Sequence, residues 1–288
     1  VDHWHVPSAN LVKPFMKRPQ WRFDDLMISF SMPEGGVGPH IDNYDVFIIQ
    51  GLGRRCWRVG EALPLKQYCP HPALLHVEPF DPIIDEILEP GDILYIPPGF
   101  PHDGYTLETA LSYSIGFRAP NTRDLISGFA DFVLEEDLGG THYSDPELVL
   151  PADPAMVQPH ELEKLQAMMI DLIRQPETFA KWFGRFTSTP RHELDIASPE
   201  PLYEAEEIYE LLHDGETLTR LQGLKLIKVA DHYYVNGESI ISSHSSGLDK
   251  LTAHLKINKA LLGEDLENSG FIALLTELIN SGYWYFDN

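Results

Sequence analysis

Cysteine is scarce in this chain of 288 residues: Cys56 and Cys69 are its only two. So few thiols exclude a disulfide framework and any cysteine-built zinc site. They fit a reduced compartment such as the cytoplasm, where thiols simply pack. Long apolar runs are missing too; none approaches the ~20 residues that a membrane-spanning helix needs. Basic residues are in short supply, 21 Lys and Arg against 44 Asp and Glu, for a formal charge of −23. That balance disfavours direct nucleic-acid binding, which depends on clustered Lys and Arg displacing counterions. An acidic surface instead attracts basic protein partners within about a Debye length.

What is plentiful is apolar surface. A hydrophobic content of 43% suffices to bury a core without staples. The length exceeds the usual single-domain size, so a main domain with one or two smaller ones is expected. The chain opens abruptly on Val1, in the dense segment VDHWHVPSANLVKPF, which points to a piece of a longer protein.

Residues 1–121 hold short β-like runs separated by Gly/Pro turns: DLMISFSM (25–32), YDVFIIQGLG (44–53), RRCWRVG (54–60), DILYIPP (92–98) and ALSYSIGFR (110–118). Regular short strands of this kind predict a mainly β sandwich or barrel. Across 122–190 the apolar period changes to three and four, which predicts helices over 122–138, 160–175 and 176–188 around a loop at 139–159. Leu162, Leu165, Met169 and Leu172 share one helical face, and Met168–Met169 suits a helix core or a dimer seam. After a linker at 193–203, residues 191–288 read as a small α+β module, winged-helix-like in order, with GYWYF docking on it.

The chemistry lies in the first region. GPHIDNYDVFIIQ carries His40 and Asp42 two apart at the mouth of a strand. Side chains at i and i+2 project from one face and can grip one ion. EPGDILYIPPGFPHDGY then supplies a β-run, a Pro-Pro-Gly corner and His102. Two histidines and one carboxylate make the facial triad of non-haem Fe(II) oxygenases, which leaves positions open for O₂ and a co-substrate. A dicarboxylate co-substrate needs a fixed cation deep in the site. Arg55, sharing a strand face with Trp57, is the candidate. Asp25, Met27, Ser29 and Ser31 form a mixed face suited to a lumen, while Leu26, Ile28 and Phe30 form an apolar one. Ser112, Ser114 and Gly116 are small and co-facial, leaving room for a ligand. The remaining histidines, including His3, His5, His71 and His76, show no second metal spacing; His3 and His5 could share a strand face, but beside Trp4 they read as packing residues.

The segments PHIDNYDVFIIQGLGRRCWRVG, EPGDILYIPPGFPHDGY and YSIGFRAPNTRDLISGFADFVL resemble the JmjC-type 2-oxoglutarate oxygenases, specifically the bacterial ribosomal oxygenases. The resemblance implies a double-stranded β-helix (cupin-like) catalytic domain at 1–121, a helical dimerisation region at 122–190 and a winged-helix-like domain at 191–288. It implies Fe(II) on His40, Asp42 and His102, with 2-oxoglutarate and O₂ as co-substrates. Arg55 and Ser31 match the pair that holds the distal 2-oxoglutarate carboxylate. The implied reaction hydroxylates the β-carbon of an arginine in large-subunit ribosomal protein sixteen, a basic partner suited to an acidic chain. On that expectation Asp25, beside Met27 and Ser114, receives the guanidinium and Tyr44 stacks on the substrate. The amphipathic helices and the resemblance together predict a homodimer through residues 123–188. Two alternatives stay open: a cupin-like zinc or nickel enzyme on the same three ligands, and hydroxylation of histidine rather than arginine. The first has no use for a buried carboxylate clamp. A nucleic-acid regulator is disfavoured because residues 191–288 hold 7 Lys and Arg against 17 Asp and Glu.

Overall fold

The structure, a computed structural model, describes residues 5–71, 74–146 and 148–286. The chain divides into two compact units: residues through Ala119 with Leu221–Gly223, and Pro120–Arg220 with Leu224 onward.

The first unit opens with helix α1 (Val6–Val12), where His5 sits at the N-cap and its Nδ1 lies 2.7 Å from Ser8 Oγ. His5 therefore starts a helix and does not stand on a strand; Pro7 at the first turn pre-sets the helical φ. His3 and Trp4 lie outside the described residues. Ten strands follow: β1 (Phe23–Ser31), β2 (His40–Ile41), β3 (Asp45–Leu52), β4 (Arg55–Gly60) and β5 (Gln67–His71). Then come β6 (Leu74–Val77), β7 (Pro82–Leu88), β8 (Ile93–Ile96), β9 (Pro101–Thr106) and β10 (Ala110–Phe117). They form a four-stranded sheet, β1-β10-β3-β8, and a six-stranded sheet, β5-β6-β2-β9-β4-β7. The five expected strands are present; β2, β5, β6, β7 and β9 are additional.

Strand alternation builds two apolar layers. Val46, Ile48 and Ile96 from one sheet meet Trp57 and Val59 from the other, closing one end of the lumen. On the outer face of the four-stranded sheet, Leu26, Ile115 and Phe117 pack against Val12 and Phe15 from the N-terminal segment. A register shift in β1 between Phe23 and Leu26 lets both residues face that outer core.

The second unit contains α2 (Thr122–Glu135), α3 (Pro159–Ile173), α4 (Pro176–Ser188) and α5 (Ala205–His213). Asn121 and Asp124 make a reciprocal capping box at the start of α2, and Pro159 and Pro176 occupy first-turn positions of α3 and α4. Phe129, Phe132 and Trp182 form the core between α2 and α4, with Leu172 of α3 against it. Strands β11 (Leu218–Arg220), β12 (Leu226–Val229), β13 (His232–Val235) and β14 (Glu238–Ile240) come next. They are followed by α6 (Ser245–Ala253), β15 (Lys256–Ile257), α7 (Lys259–Leu262), α8 (Ser269–Asn280) and β16 (Trp284–Phe286). Strands β12, β13 and β14 form an antiparallel wing, and the GYWYF segment adds β16 to the edge of β11. No helix among the described residues is long and apolar enough to cross a membrane.

Helix α4 also packs on the wing. Arg185 Nε donates to the Gly237 carbonyl at 3.0 Å, and Ser188 Oγ accepts from Gly237 N at 3.1 Å. A Cβ on Gly184 would come within 2.3 Å of the Tyr234 ring, so the approach of helix to sheet requires glycine there. Gly→Ala within a helix ordinarily stabilises by about 1 kcal/mol. Here Gly184→Ala is expected to reverse that sign and destabilise by ~1–3 kcal/mol through overpacking, read as a lower urea midpoint with unchanged slope.

Candidate active site

The antiparallel pairing of β2 with β9 sets His40 directly opposite His102. Both side chains therefore leave the same face of the six-stranded sheet, and their rings lie 4.1 Å apart. His40 and Asp42 were expected at the mouth of the long strand β3. They stand instead on and just after the separate two-residue strand β2, in the opposite sheet. The turn between β2 and β3 crosses from one sheet to the other, which is how one short segment supplies both candidate ligands. Candidate ligand atoms of His40, Asp42 and His102 all fall within 4.8 Å of one another, and Asp42 Oδ2 is 3.6 Å from His102 Nε2.

Both imidazoles are oriented in the same manner. His40 Nδ1 donates to the Gly38 carbonyl at 2.9 Å and His102 Nδ1 to the Phe100 carbonyl at 3.0 Å, each two residues upstream. Those bonds fix the tautomer and leave each Nε2 lone pair available to an ion. Burial and then the adjacent His40 push the His102 pKa down to about 4, so the ring is held neutral, as metal ligation requires. The donor set thus fits a divalent first-row metal.

Beside the triad lies a group of polar atoms that the protein leaves unsatisfied. Arg55 is 6% exposed; its Nη2 donates to the Gly104 carbonyl at 3.0 Å and its guanidinium lies 4.9 Å from the Trp57 ring centroid. Its Nε has no partner among the described residues, and neither do Ser31 Oγ, Trp57 Nε1 and Thr106 Oγ1. Burial lowers the Arg55 pKa, with Asp103 opposing the shift, and Arg55 makes no salt bridge within 4 Å among the described residues. Thr106 stands opposite Arg55 in the β4–β9 register. The segment after β1 bonds to Thr106 as well, through Glu34 N to its carbonyl and its N to Gly35 O, which brings the Ser31 end of β1 toward this corner. Unfilled buried donors cost free energy unless a ligand satisfies them, and this set fits a carboxylate. Trp57 and Thr106 received no role from the sequence; the β4–β9 register that marks Thr106 depends on a strand not anticipated there. A Cβ on Gly104 would meet the Trp57 indole at 2.9 Å, so glycine permits that ring to lie flat against β9.

At the open end, Asp25 is half-buried and Met27 is 50% exposed, opposite Ser114 across the β1–β10 pair. The Tyr44 hydroxyl is pushed up to about 12 by burial and then by the Asp42 carboxylate, to which it hydrogen-bonds; Asp25 adds to the effect. Arg118 lies over the Tyr44 ring at 4.8 Å and is anchored by Asp24 at 2.5 Å. Gly116 borders the same ring, where an added Cβ would sit 3.6 Å away. Ser112, expected to leave ligand space, instead donates to Gln50 Oε1 at 2.8 Å and is buried, so that end of the face is filled.

A two-sheet β structure with two imidazoles and a carboxylate gathered inside its lumen is a cupin-type, double-stranded β-helix domain with a candidate metal site. Comparisons with known proteins narrow the class. The JmjC domain family matches residues 10–125, and the ROXA-like winged helix matches 171–285. The ribosomal protein uL16 3-hydroxylase of Escherichia coli K12 is 60% identical over 287 residues, covering 100% of this chain and 77% of that protein. A probable ribosomal oxygenase of Haemophilus influenzae is 31% identical over 252 residues, covering 83% of this chain and 62% of its own length. The crystal structure of E. coli ribosomal oxygenase YcfD in complex with cobalt and 2-oxoglutarate superimposes with a TM-score of 0.92 at 58% identity, covering 100% of this chain and 77% of that one. This chain belongs to the JmjC-domain ribosomal oxygenases.

If Arg55 serves a ligand rather than the fold, Arg55→Met should leave stability unchanged or raise it, since it removes a buried cation that makes no close salt bridge. A loss of ~3 kcal/mol or more in chemical denaturation, the size seen when a structural buried pair is broken, would assign Arg55 to the fold.

Proposed function

We propose that this chain is an Fe(II)- and 2-oxoglutarate-dependent oxygenase that hydroxylates ribosomal protein uL16 at the β-carbon of an arginine. The observation that carries the chemistry is the buried Arg55, with its unfilled Nε and no close ion pair, in the same lumen as the His40–Asp42–His102 cluster. The substrate follows the E. coli relative of 60% identity, whose name gives uL16 and the 3-position. That position is the β-carbon of an amino acid.

In this reading His40, Asp42 and His102 would hold the iron. Arg55 and Ser31 receive the distal carboxylate of 2-oxoglutarate, with Trp57 and Thr106 offering further donors. Iron with 2-oxoglutarate and O₂ supplies the oxidising power to place oxygen on an unactivated C–H bond, 2-oxoglutarate leaving as succinate and CO₂. The remaining work is positioning. Asp25 offers a carboxylate to the substrate guanidinium, Tyr44 a ring face, and Met27 an apolar wall at the mouth, while Ser114 and Gly116 leave space beside them. The apolar cluster of Val46, Ile48, Val59 and Ile96 excludes water from the far side. The 7 Lys and Arg against 17 Asp and Glu of residues 191–288 suit protein contact rather than nucleic acid.

The working form is a homodimer through the helical region. On α3, Leu162, Leu165, Met169 and Ile173 are exposed by 58, 44, 71 and 44%, a stripe at helical spacing. Ile126 and Leu134 on α2 are exposed by 64 and 80%. Patches of this kind mark an interface.

Two experiments test these statements. Iron-loaded protein incubated with 2-oxoglutarate, O₂ and a uL16 peptide is expected to add one oxygen to an arginine by mass spectrometry, and His40→Ala to lose at least ~100-fold of that rate. Succinate formation without any peptide oxidation would discard the substrate. In light scattering the wild type is expected as a dimer and Leu162→Glu/Met169→Glu as a monomer; a monomeric wild type would refute the interface.

A further inference from the structure

The register that opposes His40 and His102 continues along the sheet. Tyr68 faces His76, His76 faces His40, His40 faces His102, and His102 faces Val59. Directly opposed residues of antiparallel strands project to one face, and Val59 belongs to the apolar cluster between the sheets. The row therefore starts in the lumen, passes through the two candidate ligands and ends on His76 and Tyr68.

These last two rings are stacked, with centroids 6.0 Å apart and planes at 28°. His76 is half-buried over Gly38, where an added Cβ would lie 3.7 Å from its Nδ1. Gly38 has a φ of +80° and is the residue whose carbonyl orients His40. Val77 N donates to the Pro39 carbonyl at 3.1 Å, binding β6 to the ligand strand. Tyr68, by contrast, is 50% exposed. The pair is anchored at its base beside the metal ligands and open at its tip. Neither residue belongs to the candidate metal cluster.

We propose that Tyr68 and His76 form a subsite for the substrate polypeptide, stacking a planar cationic side chain close in sequence to the residue that is hydroxylated. The proposal rests on the reading of the chain as a protein hydroxylase. A polypeptide that sends one side chain to the metal must lay its neighbours on the surrounding rim, and the Tyr68–His76 row leads from the metal ligands to an exposed ring. An exposed aromatic face attracts a cation, and the net charge of −23 selects basic partners.

The test measures binding of a uL16 peptide to the cobalt- and 2-oxoglutarate-loaded protein under nitrogen, together with KM and kcat of the iron form in air. Tyr68→Ala and His76→Ala are expected to weaken peptide binding and raise its KM roughly three- to ten-fold, and Tyr68→Phe to restore both. At saturating peptide kcat should hold, as should KM for 2-oxoglutarate. Peptide affinity unchanged in Tyr68→Ala would overturn the subsite. So would a joint loss of cobalt affinity and kcat in His76→Ala, which would make His76 a support for β2. A wild type that neither binds nor oxidises the peptide would remove the parent reading and the subsite together, a result distinct from an active wild type with indifferent variants.

Discussion

The antiparallel pairing of β2 with β9 is the constraint on which the site depends. It sets His40 opposite His102, and everything chemical in the first unit is arranged around that contact. A slip of one residue in this ladder would send one histidine to the other face of the sheet. Strand β2 is only two residues long and cannot hold its register alone. It is held from both sides, by β6 through the Val77–Pro39 bond and by β9, while Gly99 N donates to the Asp42 carbonyl at 2.8 Å. Asp42 is thereby tied to the turn that delivers His102.

The same register explains why the lumen is polar at one place and apolar at another. Alternation along β4 turns Arg55, Trp57 and Val59 inward, so a cation, an indole and an aliphatic group line one strand from end to end. Val59 and Trp57 join the apolar cluster, whereas Arg55, Ser31 and Thr106 keep polar atoms buried and unfilled. Folded proteins rarely leave such atoms unpaired. Their concentration in one corner, beside two histidines with committed Nδ1 atoms, marks a place where stability is given up for binding.

Much of this was legible in the sequence, for physical reasons particular to each element. The long strands β1, β3 and β10 carry clear period-two patterns, and α2, α3 and α4 carry both helical periodicity and first-turn signals at Asn121, Pro159 and Pro176. The triad could be read because a His-x-Asp and a distal His after a Pro-Pro-Gly corner need no register to be noticed. Strands β2, β6 and β9 were opaque. The first is too short to show a period, and PHDGYT of β9 shows no apolar alternation because His102, Gly104 and Thr106 occupy its inward positions. Thr106 and His76 acquire meaning only once those strands are paired, since their relation to Arg55 and His40 exists across the sheet and nowhere along the chain. Ser112 failed in the opposite way. Its size was read correctly, but the Gln50 side chain that fills the space beside it comes from the neighbouring strand.

The second unit solves a different problem with the same materials. Its inward faces are unusually aromatic: Phe129, Phe132, Trp182 and Phe186 meet edge-on or tilted, and Gly184 lets α4 lie directly against Tyr234. A helix packed that tightly against a wing has no freedom to turn its neighbours. Of the helical face read from the sequence, only Leu172 turns inward; Leu162, Leu165 and Met169 face out, joined by Ile173. Amphipathicity states that a helix has an apolar stripe but not what covers it. The contact of Leu172 with the α2–α4 core fixes which face of α3 turns inward, and it is this that leaves Leu162, Leu165, Met169 and Ile173 as a presented apolar surface, the one through which the homodimer is proposed.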